Sequence, residues 1–548
     1  MNHAAFGCML VLLGVACSKD LGNYDYNNAN HIGIAAVADS FAVRQNDTLK
    51  IDVTLTQTEA SAQLSHKWYM IQYASTNSNP PEYLIDTSRN LDVQIKVVPG
   101  LYKIVNKVTD NQTGVSFYKY FVLRVLPAPW GGEGWLVLQD QQAIHNGNDI
   151  SIILSRDGVQ HGDVYHNLYF QANQRKLPPG TNYMSVLNYN HSLAWQKVMF
   201  AYPGSGIEVK AIDFSDSSYA ENWFLTNPSP ININSNTVVA GSFRETAIVN
   251  DQVYNRSMTA ANVANGPVLF GAPILGTWEL SPFVMRYSSF ASHYLTMYDK
   301  KYRSFLAMNI ETNAMVPSRL DVPNQHFLPY SGNATALLPT GTGYDLNNIR
   351  HNLLDAHNIS NIVNPSGNGS ATIWNCFFRN DAGDSTWVIQ LPVYLAYTNN
   401  NVAGRYYLNP AKCPGINSAK LFANPTFLPA PGTFYYVFEN SIYTCNVSPV
   451  QGNSTATAGF NFPAGTVISS MKLFESGYSG TLTAPKTPLP ANEGKVLVVA
   501  TDETASGGGY NVYFININNN GSLQTSYADK YSGFDKIIDI QFKKDVNL

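Results

Sequence analysis

From Gly134 to the C-terminus the chain repeats a plan without repeating letters. An apolar strand, a turn and a second strand recur at "GWLVLQDQQAIHNGNDISIILSRDG", "QKVMFAYPGSGIEVKAIDFSD", "NWFLTNPSPININSNTVVAGSFRETAIVNDQVYNRSM", "SHYLTMYDKKYRSFLAMNIET", "TIWNCFFRNDAGDSTWVIQLPVYLAY", "TFYYVFENSIYTCNVSP" and "GKVLVVATDETASGGGYNVYFININNNG". That is about seven units over roughly 410 residues. A lone strand pair cannot bury both of its faces, so units of this kind gain a core only by stacking on their neighbours. The architecture expected for residues 134–548 is a β-propeller of about seven blades, in which a ring of four-stranded sheets leaves few exposed edges. A spacing near 60 residues exceeds the roughly 40–50 of familiar propeller repeats, so long connections are expected. One of them, "LPTGTGYDLNNIRHNLLDAHNISNIVNPSGNGS", carries the only segment with a helical reading. Several stacked β-sandwiches are the alternative.

Ahead of this region, residues 32–127 alternate apolar and polar positions in the manner of half-buried strands. Leu49, Ile51, Val53 and Leu55 alternate in "DTLKIDVTLTQ", Trp68 sits in mid-strand, and "GLYKIVNKVTDNQTGVSFYKYFVLRVLP" is two strands about a turn. An Ig-like β-sandwich with Trp68 in its core accounts for the pattern. The prolines and glycines of "PAPWGGEGW", Pro127 to Trp135, mark a domain boundary. The fold class expected is therefore all-β, and composition agrees: aromatics reach 12% against 13% charged residues, with 39 glycines and 29 prolines to serve many turns.

The N-terminus has a different character. Ala4 to Ala16 is apolar but too short for a membrane span, which needs about 20 residues, and it ends in small residues before Cys17. Residues 1–16 read as a lipoprotein signal peptide with Cys17 as the lipidation site, although Leu13 lies four places before the cysteine where three is commonest. A plain secretory signal with an incidental cysteine is the other reading. With each buried methylene worth about 0.8 kcal/mol, two or more acyl chains on Cys17 would hold the protein on a lipid bilayer. Residues 17–31, polar and rich in asparagine, read as a flexible tether.

A net charge of −4 with no basic cluster argues against a nucleic-acid partner. Beyond Cys8 and Cys17 there remain Cys376, Cys413 and Cys445, an odd number without a CxxC pair, so one disulfide at most is expected and no metal or cofactor. No GxSxG, HExxH, GxGxxG or Walker motif is present, and no catalytic residue is assigned. Asp213, Asp216, Asp299, Asp502 and Glu503 lie at strand ends where turns are their ordinary role. His161, His166, His351 and His357 lack the spacing of helical metal pairs and read as loop histidines. "FRNDAGDSTW" is similar to the Asp-box of sialidase-type propellers, through Asp381, Gly383 and Trp387, a motif that stabilises a hairpin and does no catalysis. Ligand-binding residues are not identified; the tryptophans Trp130, Trp135, Trp195, Trp223, Trp278, Trp374 and Trp387 are the stock from which flat contact surface could come.

"CSKDLGNYDYN" at the expected anchor and "PGLYKIVNKVTDNQTGVSFYKYFVLRV" together resemble the PKD-like family of lipoproteins of Bacteroidota. The resemblance implies a PKD-type Ig module, attachment to the outer membrane facing the cell exterior, and a place beside a SusC/SusD-like nutrient importer. The function expected is non-catalytic binding of an oligosaccharide or peptide on behalf of that importer. A polysaccharide hydrolase or lyase and a purely structural subunit of the transporter are the alternatives. "DTL" at Asp47 to Leu49 resembles the O-glycosylation sequon of these bacteria, with Thr48 as the modified residue, and "DST" at Asp384 to Thr386 is a second, lesser match.

Overall fold

The structure is a computed structural model. It describes residues 30–544 apart from 73–81, 142–145, 157–159, 189–195, 240–243, 259–267, 275, 287–293, 310–313, 316–345, 347–348, 360–372, 394–403, 428–431 and 476–491. Residues 1–16, Cys17 and Trp195 lie outside the described residues. The chain divides into two compact units, Met1–Leu126 and Pro127–Leu548, and is all-β apart from short helical turns.

In the first unit the sequence alternation becomes a sandwich. A five-stranded sheet runs in the order Ser40–Arg44, Ser116–Leu126, Gly100–Asp110, Leu64–Gln72, Tyr83–Asp86; two strand pairs, Ile32–Ala36 with Val53–Gln57 and Thr48–Ile51 with Leu91–Gln94, complete the unit. Successive side chains of a strand point to opposite faces. Trp68, Ile104, Phe121, Leu123 and Val125 therefore share the inner face, joined in the core by Leu49, Ile51 and Val53. Trp68 is wholly buried and donates its indole N–H to the Ser88 carbonyl at 2.9 Å, which removes the cost of burying that donor.

The second unit holds seven antiparallel sheets among the described residues. Sheet I orders Lys536–Lys543, Gly134–Asp140, Asn148–Arg156 and Gln160–Tyr165; sheet II orders Tyr183–Asn188, Gln196–Tyr202, Ser205–Lys210 and Asp216–Tyr219. Sheet III has Ile233–Val239, Arg244–Val249 and Gln252–Ser257; sheet IV has Met285–Arg286, Tyr294–Asp299, Ser304–Asn309 and Ala314–Met315. Sheet V has Asn352–Asn358, Ile373–Arg379, Thr386–Pro392 and Gly404–Leu408; sheet VI has Phe422–Ala423, Thr433–Phe438, Ser441–Asn446 and Thr455–Asn461; sheet VII has Val467–Leu473, Val496–Asp502, Tyr510–Asn516 and Asp529–Phe534. Sheets II to VII are meanders in chain order. Sheet I alone takes a strand from the far end of the sequence, Lys536–Lys543 pairing Gly134–Asp140.

The apolar runs of the central strands are buried on both faces, and alternate residues serve different neighbours. Leu136 and Leu138 pack with sheet II, Trp135 and Val137 with sheet VII; Phe377 packs with sheet VI, Phe378 with sheet IV. Shared cores join I with II, II with III, III with IV, IV with V, V with VI, VI with VII, and VII with I. The first strands of I and II, II and III, IV and V, VI and VII, and VII and I lie beside one another.

The connection read as carrying a helix contains the strand Asn352–Asn358, paired antiparallel with Ile373–Arg379; its residues 338–345, 347–348 and 360–370 lie outside the described residues. Among the described residues the one α-helix is the six-residue Leu168–Asn173. Pairing with an apolar strand and burial of Ala356 in the core between sheets IV and V account for a strand at this point of the connection.

Candidate functional site

Side chains with chemistry converge where the first strands of the sheets lie beside one another. Asp539 of sheet I accepts hydrogen bonds from the Ser470 hydroxyl of sheet VII at 3.1 Å and from the Gln541 amide at 3.1 Å, and Lys472 Nζ of sheet VII stands 3.6 Å from it. Asp539 is the main reason the Lys472 ammonium is held above its ordinary pKa; burial works against it, and Asp355 of sheet V and Tyr183 of sheet II reinforce it. In sheet V, Asp355 accepts from the Ala356 N–H and lies 3.0 Å from His357 Nε2. Burial pushes the Glu475 carboxyl, just past the first strand of sheet VII, above its usual range, with His357 and Arg286 pulling the other way. Arg286, in the first strand of sheet IV, donates to the Val238 carbonyl of sheet III, and its own carbonyl receives the Trp374 indole N–H at 3.0 Å.

Six of the seven sheets thus contribute to one electrostatic cluster. Protein surrounds it, yet water reaches it: the Lys472 side chain keeps 39% of its exposure and His357 30%. Period-2 geometry does the placing, since Ser470 and Lys472, Asp539 and Gln541, and Asp355 and His357 are each two residues apart on one side of a strand. The result is a set of fixed donors, acceptors and opposed charges suited to gripping a polar ligand. A separate polar groove of about 640 Å³ lies where sheet VI meets the connection between the third and fourth strands of sheet VII, lined by Asn446, Asn518, Asn520, Ser522 and Gln524 among others. Among the described residues no group of three His, Cys, Asp or Glu is placed to hold a metal ion.

The residues singled out from the sequence fall elsewhere, mostly in turns. Asp213 accepts from the Ser215 N–H and hydroxyl, and Asp502 from the Thr504 N–H and hydroxyl. Asp299, wholly buried, receives the N–H groups of Glu279, Lys301 and Tyr302 on one oxygen, and burial raises its pKa. Asp216 is held by Tyr169, Arg175 and Tyr219. Burial alone would raise the Glu503 carboxyl, but the Tyr513 and Thr501 hydroxyls and the Lys530 ammonium bring it below its usual value. In the Asp-box-like hairpin the Asn380 side chain accepts from the Asp384 and Ser385 N–H groups, Gly383 takes φ +75°, and Asp381 reaches out to Arg303 and Asn352.

The tryptophans are chiefly core. Trp135, Trp223 and Trp278 are buried; Trp130 packs on Tyr165; Trp387 stacks on His351, 4.3 Å away and parallel, and the Arg405 guanidinium, 5.3 Å from the Trp387 ring, lies 3.1 Å from His351 Nε2. His166 shares a hydrogen bond with Ser151 at 2.8 Å, and the His161 side chain lies outside the described residues. Of the three cysteines, Cys413 and Cys445 have their sulfurs 3.9 Å apart and all three are buried free thiols. Thr48 is exposed at the start of its strand, whereas Ser385, the corresponding residue of "DST", is half-buried and donates its hydroxyl to Asp384 at 3.0 Å.

A sequence model of the PKD-like family matches residues 17–175. The N-terminal domain is PKD-like. This match starts at Cys17 and continues past Leu126 through the last three strands of sheet I. No curated protein matches the chain. Among solved structures it is similar to a eukaryotic initiation factor, at 9% identity and a TM-score of 0.26 over 64% of this chain and 99% of that one. It is also similar to the rhamnogalacturonan lyase YesW, at 9% identity and a TM-score of 0.17 over 90% of this chain and 75% of that one. Likeness at this level carries no argument about activity.

Proposed function

We propose that residues 127–548 form a seven-bladed β-propeller carried behind a PKD-like module on a lipid-anchored protein, and that the propeller binds a polar ligand where its first strands meet. What supports the architecture is the cyclic order of shared cores, together with the C-terminal strand Lys536–Lys543 completing sheet I at the other end of the unit. Cys17 is the proposed attachment point, on the outer membrane and facing the exterior. The ligand class is oligosaccharide or peptide, and the proposed partner is a SusC/SusD-like importer of a Bacteroidota cell.

The observation that carries the binding role is the convergence of Lys472, Asp539, Asp355 and His357 from three sheets, with the Lys472 ammonium held by Asp539. Fixed polar groups of this kind orient the hydroxyls and amides of a ligand. A hydrolytic reading has one observation of its own: burial raises the Glu475 carboxyl in the same cluster, and a glycosidase needs one carboxyl that keeps its proton to act as the acid.

Incubating the purified protein with a panel of glycans and peptides separates the roles. Saturable binding without products, weakened at least tenfold by Lys472→Met, supports the binding role. Turnover lost in Glu475→Gln would replace it with the hydrolase. Silence towards the whole panel would leave a structural subunit.

A further inference from the structure

The five-stranded sheet of the first unit has one face in the core and the other open. On the open face Tyr118 and Tyr120 are 51% and 55% exposed. They alternate with the inward Phe121 and Leu123, so period-2 geometry turns both outward together. Lys107 is the cross-strand partner of Tyr118, with Nζ 5.7 Å from its ring centre, and Lys103 Nζ is 5.5 Å from the Tyr120 ring. Lys67 pairs with Lys107 on the next strand, and Arg124 stands opposite the exposed Leu101. Along the outward positions of the three central strands, Leu64–Gln72, Gly100–Asp110 and Ser116–Leu126, every ionisable side chain that carries charge at neutral pH is basic. The chain as a whole carries −4, so this is a local concentration of positive charge rather than a share of a basic protein.

We propose that this face docks on the phosphate-bearing headgroups of the bilayer to which Cys17 is attached. Only fourteen residues separate Cys17 from Ile32, where the first strand begins, and at 3.3–3.6 Å per residue they reach about 50 Å at most. The first unit is therefore confined near the lipid surface at high local concentration. Tyrosine and lysine are the side chains that suit such a boundary, the ring body entering the headgroup layer while the hydroxyl or ammonium stays with phosphate and water. Each basic residue near an anionic surface strengthens binding about fivefold, so four act together even though each is weak. Docking adds a second, reversible contact to the acyl anchor. It rests on the anchoring proposed above.

The test uses the full chain with Cys17→Ser, which removes the acyl anchor and isolates the face. Co-sedimentation with phosphatidylcholine vesicles containing 30% phosphatidylglycerol is compared with phosphatidylcholine alone, at low and at 0.5 M salt. Binding is expected to the anionic vesicles only, to fall with salt, and to drop at least tenfold in Lys103→Glu/Lys107→Glu and in Tyr118→Ser/Tyr120→Ser. Lys210→Glu/Lys420→Glu in the second unit should leave it unchanged. Absence of vesicle binding, equal binding by the Lys103/Lys107 variant, or capture of soluble polygalacturonate without vesicles would overturn the proposal. Failure of the anchor is read separately, from the mass of Cys17 in the native protein.

Discussion

At the scale of single residues, most buried ionisable groups in this protein hold structure. Arg256 is buried between two carboxylates, donating to Glu245 at 2.7 and 2.9 Å and also to Glu208, which in turn binds Lys197 at 2.9 Å. Burial would push the Glu208 carboxyl up, but Arg256 and Lys197 outweigh it and bring it from 4.5 down to about 2. Breaking such a set by removing one partner costs about 3–5 kcal/mol, so Arg256→Met should lower the urea midpoint by a corresponding amount. Because the folded value lies below the unfolded one, the stability that Glu208 contributes is complete above pH 4.5 and is lost as pH falls towards 2.

His351 behaves as a second pH probe. Burial, then Arg405 and Arg303, lower it from 6.5 to about 4, so the fold favours the neutral imidazole stacked on Trp387. Between pH 6.5 and 4 the unfolded chain takes up the proton first, and stability declines as pH falls. Urea midpoints across that range should change less in His351→Gln than in the parent protein. Cys376 offers a simpler check. Burial pushes its thiol well above the ordinary value, so it should resist iodoacetamide at pH 8 until the protein unfolds.

Elements are fixed by their connections as much as by their strands. The hairpin between Ile373–Arg379 and Thr386–Pro392 turns on Asn380, whose side chain meets two N–H groups of the turn while its own N–H donates to the Ser385 carbonyl. Replacing it with alanine leaves those two donors to water and should cost about 1 kcal/mol in thermal or chemical unfolding, with the fold retained. A second device joins distant elements: buried Lys543, in the last strand, donates to the Gly131 and Gly132 carbonyls at 2.7 and 2.6 Å. Gly131 also lets the backbone lie close to the chain at Ile212, since a Cβ there would come within 2.6 Å of the Ile212 carbonyl oxygen.

For the whole molecule the decisive element is the strand Lys536–Lys543. It contributes Ile537, Ile540 and Phe542 to the core between sheets I and VII and pairs along the full length of Gly134–Asp140. Ending the chain at Phe534 would expose Trp135 and Val137 and leave an apolar strand edge open, a template for aggregation. That truncation should give insoluble or multimeric protein on size-exclusion chromatography, whereas removing residues 545–548 should leave a monodisperse species.

The sequence by itself determined the class of fold and the rhythm of its units, because alternation and turn residues are local signals. Trp68 and the strand pair ending at Leu126 were legible for that reason, as was the break at "PAPWGGEGW". The strand Asn352–Asn358 was not legible because its pairing with Ile373–Arg379 lies outside any local window. The candidate site was hidden for the same cause. Asp355, Lys472 and Asp539 are separated by more than 60 residues from one another, and each looks alone like an ordinary polar residue on a strand. Their one local mark was a polar pair two apart in an apolar run, "DAH", "SMK" and "DIQ". Only tertiary structure could decide that these pairs meet, since meeting depends on which sheet packs beside which and on the last strand returning to the first.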